Sequence, residues 1–116
     1  MYVDDEVINL MAFEQMFRKD FEVHGLNSAT EALNYLKDNE VDLIVTDQRM
    51  PSMTGVEFLK KLMDIVPEVP PNRIIVSGYT KDDDIQDAFK NYNLYDFVEK
   101  PWEYSQLKEI LESAMQ

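Results

Sequence analysis

Cysteine is absent from this chain of 116 residues, and glycine is scarce, with only three residues. Without cysteine, disulfides, thiolate zinc sites and cysteine nucleophiles are excluded. With so little glycine, there is no glycine-rich phosphate loop, so nucleotide binding is unsupported. No apolar run approaches the roughly 18 residues that a membrane-spanning helix needs. The first residues, Met1-Tyr2-Val3 followed by acids, do not resemble a signal peptide.

Positive charge is also scarce. Lys and Arg total 11 against 23 Asp and Glu, so the formal net charge is −12 at pH 7. A surface this acidic repels nucleic-acid phosphates and anionic lipids, so we expect neither nucleic acid nor membrane as a partner. It suits basic protein surfaces or bound cations. The length and the 45% of hydrophobic residues predict a single globular domain over residues 1–116, and we expect it in the cytoplasm.

Five helices are predicted along the chain. Four of them show apolar residues at the helical spacing of i, i+3, i+4 and i+7, and a fifth, less regular one runs from about Val7 to Lys19. Ser28 followed by Glu31 has the spacing of a capping box at the start of the second helix. The four regular stripes are Ala29, Ala32, Leu33 and Leu36; Val56, Leu59, Leu62, Met63 and Val66; Ile85, Ala88, Phe89 and Tyr92; and Leu107, Ile110, Leu111 and Ala114.

Short apolar runs between these helices predict strands. The runs are Met1–Val3, a weaker one at Phe21–Leu26, Val41–Thr46, Arg73–Ser77 and Leu94–Val98. Strand and helix then alternate five times, which predicts an α/β fold with a parallel sheet covered by helices on both faces.

Polar side chains follow the carboxyl ends of the predicted strands, where open parallel sheets bind their ligands. In chain order they are Asp4 and Asp5, then Asp47, Ser77 and Lys100. Three carboxylates at one edge repel one another unless a cation lies among them. Oxygen ligands without a His or Cys cluster favour Mg²⁺ over zinc. A cation beside a carboxylate, a lysine and a hydroxyl suits phosphoryl transfer to an aspartate.

Four motifs in chain order link this sequence to a known family. They are Val3-Asp4-Asp5-Glu6, Asp47-Gln48-Arg49-Met50-Pro51 with Gly55, Ser77-Gly78-Tyr79, and Lys100-Pro101. With these motifs the chain resembles, over essentially its whole length, the chemotaxis-receiver-like phosphoacceptor domain of bacterial two-component response regulators. The resemblance implies a flavodoxin-like, doubly wound (βα)5 fold with a five-stranded parallel sheet in the order 2-1-3-4-5.

The resemblance also implies a role for each matching residue. Asp47 is the expected phosphoacceptor and also a Mg²⁺ ligand. Asp5 is expected to bind Mg²⁺ directly and Asp4 mainly through water. The remaining expected roles are a metal ligand for the backbone carbonyl of Arg49, phosphoryl contacts for Ser77 and Lys100, a switch aromatic for Phe97, and a cis bond between Lys100 and Pro101.

The expected phosphodonor is a phosphohistidine on a sensor histidine kinase or a phosphotransfer protein. Phosphorylation would alter the face made by helix 4, strand 5 and helix 5, which would contact an output domain or effector. The domain would assist its own phosphorylation and dephosphorylation without being a turnover enzyme. Only three residues precede Asp4, whereas the family usually has a longer first strand, so we expect either a weakened fold or a truncated chain. Because residues 1–116 include no DNA-binding or catalytic output region, we expect either a stand-alone receiver or one excised from a longer regulator.

Two other functions remain open from the residues. The first is a Mg²⁺-dependent phosphohydrolase that forms an aspartyl-phosphate, although enzymes resembling haloacid dehalogenases have a second acid where this chain has Arg49. The second is a receiver-like interaction module that is not phosphorylated, against which the intact set of Asp, Ser and Lys argues. The run Asp82-Asp83-Asp84 is interpreted as acids at a helix start, where they favour the helix dipole.

Overall fold

Among the described residues, strands and helices follow one another in the order that the apolar pattern predicts. The computed structural model describes residues 1–65, 72–78 and 94–115, together with Gln86 and Lys90. In these ranges the strands are β1 (Tyr2–Val3), β2 (Gly25–Leu26), β3 (Leu43–Asp47), β4 (Asn72–Ser77) and β5 (Leu94–Glu99). The helices are α1 (Val7–Phe17), α2 (Ala29–Asp38), α3 (Gly55–Ile65) and α4 (Tyr104–Ala114).

Part of the predicted pattern lies outside the described residues. This applies to the stripe of the fourth predicted helix, to the run Asp82-Asp83-Asp84, and to Val66 and Tyr79. The C-terminal helix α4 therefore corresponds to the fifth predicted helix. Among the described residues, no helix combines the length and the apolar character that crossing a membrane requires.

The five strands form one parallel sheet in the order β2-β1-β3-β4-β5. This confirms the predicted flavodoxin-like α/β fold and its strand order. Val3 of β1 pairs with Leu26 on one side and with Thr46 on the other. The strand order reverses between β1 and β3, and the crevice outside the carboxyl ends of such strands is where open α/β sheets bind ligands.

The first two strands are short, with two residues each. β1 has two residues, but the Tyr2 N–H donates to the His24 carbonyl and the Val45 N–H to the Met1 carbonyl, both at 2.9 Å. Its pairing on both sides therefore extends beyond the strand itself. β2 is shorter than the predicted Phe21–Leu26 because the Phe21 N–H donates to the Phe17 carbonyl at 2.9 Å, which forms a turn after α1.

Helices cover both faces of the sheet, and each face has its own core layer. The first core layer lies under α2 and α3, and the second lies under α1 and α4. Successive strand residues point to opposite faces, so Ile44 belongs to the first layer and Val45 to the second. Every residue of β3 is buried, which agrees with a strand covered on both sides.

The stripes of the described helices face these layers as predicted. The whole stripe of α2 is buried, and Ser28 Oγ accepts a hydrogen bond of 3.1 Å from the Glu31 N–H at the start of the helix. α3 buries Phe58 in addition to its predicted stripe residues Val56, Leu59 and Leu62. Packing of these stripes holds β1 and β3 side by side at the edge where the acids lie.

Candidate functional site

Three carboxylates meet at the carboxyl ends of β1 and β3. Asp4, Asp5 and Asp47 each contribute an oxygen, and these oxygens lie within 4.8 Å of one another. Asp4 is fully buried and Asp47 nearly so, whereas Asp5 reaches solvent. The parallel pairing of Val3 with Thr46 places the residues that follow them next to each other. The fold thus brings together acids that are more than 40 residues apart in the chain.

Lys100 provides positive charge beside these acids. Its Nζ lies 3.0 Å from Asp47 Oδ1 and 3.6 Å from Asp4 Oδ2, and a quarter of the side chain is exposed. The Lys100–Pro101 peptide bond is cis, as expected. The Lys100 N–H donates to the Ser77 carbonyl at 2.8 Å, which connects the ends of β4 and β5. One ammonium group therefore faces two of the three carboxylates.

The Asp4 carboxylate is held by neighbours on both of its oxygens. The Glu6 N–H donates to Oδ1 at 3.0 Å, and the Tyr2 hydroxyl donates to Oδ2 at 2.8 Å. Burial, followed by the charge of Asp4, raises the pKa of Tyr2 far above its ordinary value, so this hydroxyl remains a neutral donor. Tyr2 was not predicted as a site residue. Its position two residues before Asp4, on the same side of an extended chain, was the available signal.

The site carries more negative charge than Lys100 balances. Burial raises the pKa of Asp47, Lys100 opposes this by a hydrogen bond and by its charge, and the charges of Asp4 and Asp5 add to the rise. The net effect is a raised pKa of Asp47. The metal-ligand atoms that the three acids offer are carboxylate oxygens, which hard divalent cations prefer. The acid cluster therefore fits a cation such as Mg²⁺ in both its charge and its donor chemistry.

Three other predicted site residues lie around this cluster. Ser77 ends β4 and is almost completely buried, and its neighbour Val76 pairs with Asp47 across the sheet. Phe97 is half-buried in β5 and packs against the first core layer. Arg49 is exposed in the segment after β3. The expected roles of Ser77, Phe97 and the Arg49 carbonyl stay predictions.

Gln48 and Gly55 shape the segment between Asp47 and α3. The Gln48 side-chain oxygen accepts a hydrogen bond from the Val56 N–H at 2.9 Å, and the Gln48 backbone carbonyl accepts one from the Gly55 N–H at 3.0 Å. A Cβ atom on Gly55 would lie 2.6 Å from the Asp47 carbonyl oxygen. Only glycine allows this close approach of the two backbones. The structural role of Gln48 was not predicted, although a polar residue directly after a buried strand was its signal.

Trp102 lies at the edge of the site. The Lys100 Nζ is 5.9 Å from the centre of its ring, and its indole packs edge-on against Phe13 with 6.2 Å between ring centres. Its Nε1 lies 3.3 Å from the Met16 sulfur. Since this is the single tryptophan of the chain, its fluorescence reports the surroundings of Lys100.

Comparison with protein families gives one match that covers nearly the whole chain. The family model described as the response regulator receiver domain matches residues 1–112. All four motifs and the three clustered acids lie inside this range.

Two relatives illustrate the similarity in sequence. The hydrogenase transcriptional regulatory protein HoxA of Bradyrhizobium diazoefficiens is 39% identical over 116 residues, which are all of this chain and 24% of HoxA. The transcriptional regulatory protein FixJ of Rhizobium meliloti is 35% identical over 114 residues, covering 97% of this chain and 54% of FixJ. The chain spans about a quarter to a half of these curated relatives.

A solved structure illustrates the similarity in fold. The signal receiver domain of an HD domain-containing protein from Pseudomonas fluorescens superimposes with a TM-score of 0.87 at 27% identity. The superposition covers 98% of this chain and 90% of that domain.

Proposed function

This chain belongs to the response regulator receiver domain family, a family of phosphorylatable two-component signalling domains, and from that premise we propose that its phosphoacceptor is Asp47. One observation carries this proposal. Asp47 ends the central strand β3 within 4.8 Å of two further acids, and Lys100 Nζ lies 3.0 Å from its carboxylate. Asp4 shares these neighbours, but it lies farther from Lys100 Nζ, at 3.6 Å, and both of its oxygens already accept hydrogen bonds from Glu6 and Tyr2.

Mg²⁺ is the proposed cofactor of the acid cluster. Asp5 and Asp47 would hold it directly, Asp4 mainly through water, and the Arg49 carbonyl would complete the set. The indirect role of Asp4 is supported by its two occupied oxygens, which already accept from Glu6 and Tyr2. Bound there, the ion would neutralise charge on the phosphoryl oxygens.

The phosphoryl group is transferred to a carboxylate oxygen of Asp47. That oxygen attacks the phosphorus of a phosphohistidine in line, a P–O bond forms, and the P–N bond breaks with its electron pair returning to the imidazole. Lys100 stabilises the negative charge on the phosphoryl oxygens and orients the attacking carboxylate. The domain assists its own modification in this way but is not a turnover enzyme.

Phosphorylation then shifts the equilibrium between two conformations of the domain. Ser77 contacts a phosphoryl oxygen, the segment after β4 shifts, and Phe97 turns inward from its half-buried position. The backbone bond between Lys100 and Ser77 supports this coupling, because it joins the two strand ends that face the new group. The altered surface is the face of the fourth predicted helix, β5 and α4.

The proposed partners follow from this chemistry. The phosphodonor is a sensor histidine kinase or a phosphotransfer protein, and the altered face contacts an output domain or effector. HoxA and FixJ are named as transcriptional regulatory proteins, so control of transcription is the output to test first. Nucleic acid would be bound by that output, because the net charge of −12 on this domain repels phosphate. The domain would act in the cytoplasm.

Intact mass spectrometry with acetyl phosphate and Mg²⁺ tests the proposal. The unmodified sequence should gain the mass of one phosphoryl group, which hydroxylamine and base remove because it is an acyl phosphate. Asp47→Asn should gain none. Asp64→Asn, which changes an exposed acid near the end of α3, is the matched control and should be phosphorylated normally.

Three outcomes would contradict the proposal. An acyl phosphate that persists at full stoichiometry in Asp47→Asn would mean a different acceptor. Sustained release of phosphate from a small phosphomonoester would instead support a phosphohydrolase. If neither acetyl phosphate nor a phosphohistidine donor labels the chain, it is an interaction module that works without phosphorylation.

A further inference from the structure

The Tyr2 hydroxyl is a polar group inside the second core layer. The residue is fully buried, and its hydroxyl donates to Asp4 Oδ2 at 2.8 Å. We propose that Tyr2 is a positioning residue of the metal site, whose hydroxyl orients the Asp4 carboxylate for Mg²⁺ and keeps Lys100 on Asp47. This inference rests on the proposed Mg²⁺-dependent function of the acid cluster.

The tyrosine ring is itself held in place. It stacks on Phe13 with 4.0 Å between ring centres and 5° between ring planes. Its backbone is paired on one side with β2 and on the other with β3. A ring fixed in this way holds its hydroxyl oxygen at one position, so the hydrogen bond from it sets the orientation of the carboxylate that accepts it.

The Asp4 carboxylate is therefore orientated by donors at both ends. The Glu6 N–H holds Oδ1, while the Tyr2 hydroxyl and the more distant Lys100 Nζ share Oδ2. Partners that hydrogen-bond to a metal-site carboxylate fix its position relative to the cation, and their loss commonly weakens metal binding 10- to 100-fold. A phenylalanine at position 2 would keep the stacking on Phe13 and remove only the donor.

The Tyr2 hydroxyl also influences how Lys100 is shared between Asp4 and Asp47. Lys100 Nζ lies closer to Asp47 Oδ1, at 3.0 Å, than to Asp4 Oδ2, at 3.6 Å. The Tyr2 hydroxyl satisfies Asp4 Oδ2 without adding positive charge, so the site keeps its attraction for a cation. Without the hydroxyl, a buried carboxylate oxygen loses its short hydrogen bond, and Lys100 is drawn toward Asp4 and away from Asp47.

The test compares Tyr2→Phe with the matched variant Tyr104→Phe. The Tyr104 hydroxyl also donates to an aspartate, Asp20, at 2.6 Å, but that pair lies between the end of α1 and α4. Calorimetric titration with MgCl₂ at constant ionic strength should show about 10-fold weaker binding in Tyr2→Phe. Tyr104→Phe should stay within about twofold of the unmodified chain, as expected for a distant, independent site.

A double-mutant cycle separates positioning of Asp4 from a general effect of the core. In an Asp4→Asn background, Tyr2→Phe should weaken Mg²⁺ binding little further, because the carboxylate it positions has already been removed. The same loss in both backgrounds would overturn the inference. So would a Tyr2→Phe chain that binds Mg²⁺ as tightly as the unmodified sequence.

A measurement on the unmodified sequence keeps the inference testable if Tyr2→Phe does not fold. With tyrosine labelled by ¹³C at Cζ, the NMR signal of Tyr2 should shift on addition of Mg²⁺, and that of Tyr104 should not. A Tyr2 signal that ignores saturating Mg²⁺ would overturn the inference and leave the proposed function standing. A chain that binds no Mg²⁺ at all would overturn both.

Discussion

At the scale of single residues, three carboxylates lie together and one lysine contacts two of them, and this excess of negative charge links stability to ligand binding. Asp47 is buried beside two like charges, and the net effect raises its pKa from 3.8. The folded state therefore holds the Asp47 proton more tightly than the unfolded state does. The contribution of Asp47 to the free energy of unfolding therefore decreases as pH rises from 3.8 through the raised pKa. Ionised Asp47 thus destabilises the metal-free protein at neutral pH.

Asp47→Asn should accordingly stabilise the protein in the absence of divalent cations. We expect a gain of about 1 kcal/mol, which is a rise of roughly 4 °C in Tm for a domain of this size. Thermal unfolding in EDTA at pH 7 measures it. Asp20→Asn is the control, and it should lower Tm, because hydrogen bonds lower the pKa of Asp20 in the folded protein. A lower Tm for Asp47→Asn would show that its contact with Lys100 outweighs the repulsion.

At the scale of secondary-structure elements, the close approach of β3 and α3 sets the shape of the site. Gln48 bonds to the first turn of α3, and Gly55 lies against the carbonyl of Asp47. The helix therefore holds the backbone that carries the proposed phosphoacceptor.

Gly55→Ala should displace the backbone of Asp47, because its Cβ would lie 2.6 Å from the Asp47 carbonyl oxygen. We expect a loss of about 1–3 kcal/mol in the free energy of unfolding, typical of overpacking, and slower phosphorylation by acetyl phosphate. Gly78→Ala is the matched control, because a Cβ at Gly78 meets nothing within 4 Å. Its stability should change by less than about 0.5 kcal/mol. Equal effects of the two substitutions would contradict the role of Gly55.

The contact between the end of α1 and α4 has its own pH dependence. The hydrogen bond from Tyr104, and further the interaction with Lys108, lower the pKa of Asp20. Such a group adds stability above its unfolded pKa, and that stability is lost as pH falls through the folded value. In Tyr104→Phe the pKa of Asp20 should rise, which NMR titration of the carboxyl carbon measures. An unchanged pKa would assign the shift to Lys108 instead.

The whole molecule carries a net charge of −12 at neutral pH, which favours the expanded chain through self-repulsion. Added NaCl should therefore raise Tm by screening this repulsion.

Mg²⁺ should raise Tm beyond this screening when the ionic strength is held constant, because it binds the folded acid cluster. At a free concentration of roughly 100 times Kd, the expected gain is about 2.7 kcal/mol. Asp5→Ala should lose most of this specific gain and keep the response to NaCl, since the proposed direct ligand is removed. Thermal scans of both proteins in matched NaCl and MgCl₂ series measure it. The same Mg²⁺ gain in Asp5→Ala would place the ion elsewhere.

Much of this architecture could be predicted from local sequence patterns. The stripe of α2 and the apolar run of β3 specify which residues turn inward, since helix and strand periodicity depend only on neighbours in the chain. Their alternation determined the α/β class, and the four motifs identified the family and with it the strand order. The same spacing predicted that the acids after β1 and β3 would reach one edge of the sheet.

The tertiary structure decided what these acids contact. Burial of Asp4, its bond to the Tyr2 hydroxyl and the unequal sharing of Lys100 depend on distances across the folded sheet. Periodicity determines which face a side chain is on, but a separation of a few tenths of an ångström is determined by packing between elements distant in sequence. The electrostatics of the site therefore came from the pairing of β1 with β3 and from the position of Lys100 at the end of β5. The proposed phosphoacceptor and metal ligands, in contrast, were already predicted from the motifs in the sequence.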